Sequence, residues 1–105
     1  MSASSPTQRS LAMLRDAGYT AEVTERWIPG ANIRKDLYGF IDILALKGKE
    51  ILGVQTTSYS NMSARAKKIA EHENTPIVRA AEIRLEVHGW KKVGARWQCK
   101  VLDVS

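Results

Sequence analysis

Apolar residues recur with helical spacing in two stretches of the chain. The first stripe follows Ser5, a good N-cap, and Pro6, which suits the first helical position, and it stops at Gly18. Its apolar members are Leu11, Met13, Leu14 and Ala17. The spacing predicts one helix near residues 6–17 and a second near 62–73, with a further short helical segment directly after the second.

Runs that alternate between apolar and polar residues, or that are apolar throughout, predict strands. These runs are residues 19–27, 38–46, 51–58, 83–93 and 96–104. The second and third runs are apolar on both faces, so we expect both faces of the sheet to be covered there. The predicted order is α-β-β-β-α-(α)-β-β, an α/β (α+β) fold. We expect a single domain over residues 1–105, with 1–5 as a flexible N-terminus.

The two most apolar strands each carry one polar residue that a core strand does not need: Asp42 in FIDIL and Gln55 in GVQTT. Between the strands, Gly48 and Lys49 suit a two-residue type II′ turn with glycine first. Such a turn fixes the register. It places Asp42 opposite Gln55, with Thr57 two residues further along the same face. The pattern therefore predicts a polar cluster at one end of an apolar hairpin.

A buried aspartate is costly unless it is paired, hydrogen-bonded or bound to a metal. Glu25, on the apolar face of the first predicted strand, would bring a second carboxylate near, with Glu22 as the second choice. Together with the side-chain oxygen of Gln55 and the carbonyl of Thr56, these groups form the hard oxygen set that suits Mg²⁺. The alternative is a plain hydrogen bond from the Gln55 amide to Asp42, with no metal.

The chain has 105 residues and a net charge of +5. Small basic domains often bind nucleic acid, although the charge can also serve solubility alone. The lone Cys99 suits a reducing compartment. No apolar run is long enough to cross a bilayer, and neither a P-loop nor a dinucleotide-binding glycine motif is present. We expect a cytoplasmic protein with no membrane partner and no nucleotide cofactor.

The stretch RKDLYGFIDILAL, a turn, and VQTTS before a basic helix resemble the PD-(D/E)XK nuclease superfamily, in particular its Holliday-junction-resolvase-like and phage-type small nucleases. The resemblance implies a restriction-endonuclease-like core, α-β-β-β-α-β, with a central mixed sheet flanked by helices and here an extra C-terminal strand. It implies that Asp42 is the motif aspartate and that Gln55 begins a Q-x-T variant of the E-x-K motif. It further implies an Mg²⁺-dependent endonuclease, with Mn²⁺ as a substitute, that hydrolyses phosphodiesters of branched or structured DNA.

Thr57 occupies the position of the lysine in that family. Threonine can hold a water molecule but supplies no positive charge. Lys67 or Lys68, on the following helix, can replace the missing cation, and Lys35 is a further candidate. If none does, the resemblance implies a catalytically weak or inactive nuclease fold that binds DNA or a protein partner. We interpret Asp36 as a loop or turn residue rather than a further acid of the site.

Several basic residues are predicted to contact the DNA backbone, either from loops or from the helix that follows the catalytic-type strand. They are Arg34, Lys35, Arg65, Lys67, Lys68, Lys91 and Lys92. Trp90 and Trp97 flank the last two lysines, and we interpret both tryptophans as core or contact residues. A domain this small has little surface with which to grip duplex DNA, so we expect a homodimer, in a bacterial, archaeal or phage-infected host cell.

Overall fold

Residues 5–105 are described by a computed structural model of the chain. The predicted helices are confirmed: α1 spans Pro6–Asp16, α2 spans Met62–Glu71 after a 3₁₀ turn at Tyr59–Asn61, and α3 spans Thr75–Ala80. Ser5 is the N-cap of α1, as expected, and its side chain accepts a hydrogen bond from the Gln8 N–H. The rest of the predicted flexible N-terminus, residues 1–4, lies outside the described residues. No helix in the described range is long and apolar enough to cross a membrane.

Seven strands follow one another along the described chain. They are β1 (Thr20–Val23), β2 (Arg26–Ile28), β3 (Ile33–Lys35), β4 (Ile43–Lys47), β5 (Glu50–Ser58), β6 (Arg84–Val93) and β7 (Arg96–Asp103). Five of them form a sheet in the order β1-β4-β5-β6-β7, in which only β5 and β6 are parallel. Strands β2 and β3 form a separate two-stranded hairpin. The result is a compact α+β domain with a mixed five-stranded sheet flanked by helices.

The middle of the sheet is covered on both faces, as the apolar runs predicted, whereas the edge strand β7 is mostly exposed. One face packs under α1, where the buried residues are Leu11, Leu14, Ala21, Ile43, Ala45, Leu52 and Val54. The other face packs under α2 and α3, where the buried residues are Phe40, Ile41, Met62, Ile69, Val78, Leu85 and Val87. Successive side chains of a strand point to opposite faces: Leu52 and Val54 of β5 belong to the layer under α1, whereas Ile41 and Leu85 pack over Gly53 on the other face.

The hairpin register of β4 and β5 is confirmed over the length of the ladder. Lys47 pairs with Glu50 and Ile43 with Val54, as the Gly48–Lys49 turn predicted. Gly48 has a φ of +60°, as the first position of a type II′ turn requires. The ladder does not extend to the expected Asp42–Gln55 pair: the Asp42 N–H donates to the Val54 carbonyl, one residue out of step with the ladder.

The single strand predicted at residues 19–27 is two strands in two different sheets, β1 in the main sheet and β2 from Arg26 onwards in the separate hairpin. Beyond β1 the pairing with β4 continues in register for one more residue, because the Thr24 N–H donates to the Asp42 carbonyl and the Thr24 hydroxyl to the Ile41 carbonyl; the chain leaves the main sheet after Thr24. It then forms the β2–β3 hairpin, in which Arg26 pairs with Lys35 and Trp27 with Arg34. Residues 28–36, which lie between two of the predicted strands, therefore contain the additional strand β3.

The predicted strand at residues 38–46 begins only at Ile43. Tyr38 and Gly39 have φ values of +55° and +91°, and the Phe40 N–H donates to the Leu37 carbonyl. Two consecutive positive φ values are those of a type I′ turn, which reverses the chain before β4. Glycine is required at the second position, since a Cβ there would collide with the ring of His72.

A buried polar network ties α1 to β6. The Ser10 hydroxyl accepts from Trp90 Nε1 at 2.8 Å and lies 2.9 Å from Nδ1 of His88. Nε2 of His88 lies 3.0 Å from the Glu86 carboxylate. Every group is satisfied when Ser10 donates to Nδ1 and the Nε2–H donates to Glu86. Ser10 and His88 are both fully buried, so the network has a structural role.

Candidate metal centre

The type I′ turn at Tyr38–Gly39 brings two carboxylates together. Asp36 and Asp42 stand on either side of a short bridge between Leu37 and Ile41, whose N–H groups and carbonyls exchange hydrogen bonds of 3.0 Å. Residues six apart in sequence thus become neighbours. The turn is anchored from outside by Asn74, whose side-chain amide donates to the Tyr38 carbonyl at 3.0 Å.

Asp42 is fixed to β5 by its side chain. Its Oδ2 accepts from the Thr56 N–H at 2.8 Å and from the Thr56 hydroxyl at 3.3 Å. That hydroxyl in turn shares a hydrogen bond of 2.7 Å with Thr7 of α1. The partner of Asp42 is therefore Thr56 and not the Gln55 amide, which was the metal-free alternative expected from the sequence.

Glu25 completes the acidic cluster. It lies in the connection between β1 and β2, and carboxylate oxygens of Glu25, Asp36 and Asp42 lie within 4.8 Å of one another. Arg34 on β3 donates to Glu25 at 2.9 Å and holds that carboxylate in place. Glu22, the second choice from the sequence, instead pairs with Arg15 and lies outside the cluster.

Gln55 adds a neutral oxygen beside these acids. It lines one cavity together with the three acids, only 3 % of its surface is exposed, and its Oε1 is buried with no hydrogen-bond partner among residues 5–105. A buried carbonyl oxygen without a hydrogen-bond partner lowers the stability of the fold by about 1–3 kcal/mol, so a bound ligand is one explanation for such a group. Oxygen ligands are those that Mg²⁺ prefers, and this donor set fits the ion.

Burial is the main reason that the pKa of Asp42 rises from 3.8 to about 7. The hydrogen bond from the Thr56 backbone opposes the rise, whereas the neighbouring carboxylates of Asp36 and Glu25 add to it. Without a cation, the cluster therefore favours a proton on Asp42 in the acidic to neutral range. A divalent cation would remove the repulsion and supply the charge that the proton otherwise supplies.

The cluster opens into a cavity of about 430 Å³ with positive elements on its wall. The first turn of α1 lines it, as do Arg34 from β3 and Arg65 from α2. A helix N-terminus carries partial positive charge and suits anions. The cavity thus places cationic groups around an acidic floor, which suits a phosphate that reaches a metal ion.

The other residues expected at the site lie elsewhere. Thr57 is buried and does not line the cavity. Lys67 and Lys68 are exposed on α2, where Lys67 lies 4.0 Å from Glu71, and neither lines the cavity. Lys35 lines a second, adjoining cavity.

The two lysines of the C-terminal hairpin that were predicted to contact DNA, Lys91 and Lys92, lie on β6. Lys91 sits over the ring of Tyr59, with its Nζ 4.4 Å from the ring centroid, and the exposed Lys92 pairs with Trp97. Trp90 is a buried residue, as expected. Trp97 is partly exposed and stacks under the Arg9 guanidinium at 3.5 Å, so it is a contact residue at the sheet surface.

Two features of the site were not anticipated. Asp36, interpreted from the sequence as a loop or turn residue, is one of the three clustered acids. The first turn of α1 was not connected with the site at all. The available signal for Asp36 was Gly39, since an isolated glycine inside an apolar run often marks a turn. No short sequence pattern predicts that α1 contacts β5, because the residues in contact are far apart in the chain.

A comparison of the chain with protein-family models and with curated proteins gives no match. The geometry of the site is therefore the basis for any assignment. That geometry consists of three convergent carboxylates, one buried oxygen without a partner in the described part of the chain, two arginines and a helix N-terminus around one cavity.

Proposed function

We propose that this protein is a divalent-metal-dependent DNA endonuclease of the PD-(D/E)XK type. The observation that carries the proposal is the convergence of Glu25, Asp36 and Asp42 beside the unpartnered oxygen of Gln55. An Asp at the start of one strand and a Gln on the next are the two positions that the family motif predicts. The element order and the mixed sheet are compatible with a restriction-endonuclease-like core, with the β2–β3 hairpin as an insertion.

In this proposal, Asp42, Asp36 and Gln55 hold Mg²⁺ or Mn²⁺ directly, and Glu25 completes the site. A divalent ion held by these residues would supply an activated water and stabilisation of the charge that develops on the phosphate. The Thr56 N–H fixes the Asp42 carboxylate in one orientation, as ligands held by a neighbouring hydrogen bond generally are. The Thr56 carbonyl, also considered as a ligand from the sequence, remains part of the proposal.

Arg65 is our candidate for the cation that Thr57 cannot supply. It is the basic residue of α2 that lines the cavity, whereas Lys67 and Lys68 project into solvent. A guanidinium can bind two phosphate oxygens at once, which suits charge neutralisation at the scissile phosphate. Because a guanidinium stays protonated, Arg65 would stabilise charge rather than accept a proton from water.

The wider proposals follow from charge and size. A net charge of +5 favours a polyanionic partner. We propose DNA as that partner, branched or structured DNA as its form, a homodimer as the active species and the cytoplasm as its location. The second candidate function, a nuclease fold that binds DNA or a protein without cutting, is favoured by one observation: Thr57 replaces the expected lysine and does not reach the cavity.

The test is a cleavage assay with Mg²⁺ or Mn²⁺ on linear, nicked and four-way DNA. Asp42→Ala should abolish cleavage, and Arg65→Ala should reduce it by about 10²–10³-fold, as expected for loss of one charge-stabilising group. Lys49→Ala, which removes one exposed charge at the turn between β4 and β5, is the control and should cut within about twofold of wild type, since exposed charges away from the site contribute little. Cleavage by Asp42→Ala at the wild-type rate contradicts the assigned site, and DNA binding without cleavage supports the second candidate.

A further inference from the structure

A second cavity, of about 580 Å³, adjoins the acidic cluster and shares Asp36 with it. Its other walls come from the β2–β3 hairpin and from the turn before β4: Arg26, Lys35 and Tyr38 provide its polar and aromatic surface. A ligand that spans Asp36 can therefore occupy both cavities at once.

The hairpin presents two unneutralised cations to this cavity. Arg26 and Lys35 are cross-strand partners, and within residues 5–105 neither lies within 4.0 Å of a carboxylate. Like charges placed directly opposite one another in a sheet are destabilising. The pairing of Arg26 with Lys35 does not stabilise the β2–β3 hairpin, so the hairpin does not account for the two charges. Their position side by side is instead suited to binding an anionic ligand.

Tyr38 supplies an exposed aromatic surface at the same place. Its side chain is 51 % exposed, and its backbone has a φ of +55°. A bulky residue other than glycine is an outlier in that conformation, and such strain tends to cluster at functional sites. Glycine or asparagine would fit the turn better, so the fold alone does not account for a tyrosine here.

We propose that this second cavity binds an unpaired nucleotide that flanks the phosphate at the metal centre. Arg26 and Lys35 contact backbone phosphates, and the Tyr38 ring stacks on the base. Because a base can stack on a side chain only when it is free of its duplex neighbours, the substrate carries unpaired nucleotides next to the cleavage point. The choice of a nucleic acid as ligand rests on the proposed function.

The test is the binding of a fluorescein-labelled short oligothymidylate by fluorescence anisotropy, in EDTA and over a range of salt concentrations. Tyr38→Gly should weaken binding roughly tenfold, in line with the loss of one base stack, and Tyr38→Phe should bind as the wild type does. Tyr38→Gly also relieves the positive φ, so it should be at least as stable as the wild type in a thermal melt. A loss of binding in a more stable protein cannot be attributed to misfolding.

The two cations are tested one at a time. Arg26→Gln and Lys35→Gln should each lower the slope of log affinity against log salt by about 0.7, the value for one phosphate contact on a single strand. Lys49→Gln is the control. It removes one charge at the turn between β4 and β5, and the affinity for the oligothymidylate should stay within about twofold of wild type because no phosphate contact is lost.

Three results would overturn this inference: no binding of the oligothymidylate by the wild type, wild-type affinity in Tyr38→Gly, or equal affinity for a blunt duplex of the same length. The measurement needs no cleavage. A protein that binds in the expected way but does not cut with Mg²⁺ would contradict the endonuclease proposal and still support the nucleotide cavity. If the wild type cuts DNA but Tyr38→Gly binds the oligothymidylate normally, the nucleotide cavity is contradicted and the endonuclease proposal is still supported.

Discussion

Asp42→Asn should stabilise the metal-free protein at pH 8 while abolishing its response to metal. In the folded state the pKa of Asp42 is raised to about 7 from 3.8, chiefly by burial. The stabilisation that comes with the protonated form is fully present below the unfolded pKa and is lost as the pH rises through the folded pKa. The free energy of unfolding of the wild type should therefore fall between about pH 4 and pH 7 and stay low above that range.

The size of this loss follows from the two pKa values. One pKa unit corresponds to about 1.4 kcal/mol, so ionising Asp42 costs the folded protein about 4 kcal/mol at pH 8. Asparagine is neutral at every pH, and its side-chain oxygen can still accept the Thr56 N–H. The stability of Asp42→Asn relative to the wild type should thus increase by about 4 kcal/mol between pH 4 and pH 8.

The assay is urea unfolding followed by tryptophan fluorescence in EDTA, at a series of pH values, and then again with Mg²⁺ at pH 8. Saturating Mg²⁺ at about 100 times its dissociation constant should add about 2.7 kcal/mol to the wild type and nothing to the variant. Asp16→Asn, which removes an exposed carboxylate at the end of α1, is the control and should follow the wild-type pH profile. The reasoning is refuted if the difference between Asp42→Asn and the wild type does not change with pH.

Three further predictions concern single residues. Ser10→Ala removes the shared partner of the buried indole and imidazole nitrogens and should cost roughly 2–4 kcal/mol by urea unfolding, whereas Ser63→Ala at an exposed position should cost under about 0.5 kcal/mol. Gly39→Ala should lower the free energy of unfolding by about 2 kcal/mol more than Gly30→Ala does. Both glycines have positive φ, but only at Gly39 would a Cβ collide with the His72 ring, so equal losses would show that this collision does not matter. Gln55→Glu adds a fourth carboxylate to the cluster, so calorimetry should show roughly tenfold tighter binding of Mn²⁺ than by the wild type. For the same reason, this variant should be less stable than the wild type in EDTA at pH 8. Weaker Mn²⁺ binding would argue against Gln55 as a ligand.

Local signals explain what the sequence predicted well. The cap at Ser5, the Gly48–Lys49 turn and the apolar runs of β5 and α2 each depend on a few neighbouring residues. The resulting register identified Asp42 and Gln55, which do line one cavity. Their exact relation was missed because the ladder falls out of step at Asp42, where the side chain of that residue takes the Thr56 N–H.

The remainder of the site depends on contacts between segments far apart in the chain. Asp36 reaches the cluster only because Tyr38 adopts a backbone conformation that tyrosine seldom adopts, held by Asn74 from the α2–α3 junction. Arg65 lines the cavity because of how α2 packs against β5 and β6, which residue spacing on one helix does not determine. For the same reason, the spacing within α2 did not distinguish Arg65 from Lys67 and Lys68.

If Asp36, Asp42 and Gln55 hold a divalent cation, a crystal of the protein soaked in Mn²⁺ should show where the ion binds. We expect an anomalous difference peak in the cavity between these side chains, with oxygens of Asp42 and Gln55 at roughly 2.0–2.3 Å from the ion. A well-ordered cavity with no anomalous peak at saturating Mn²⁺, or a peak only at another site, would mean that these three residues do not form a metal site.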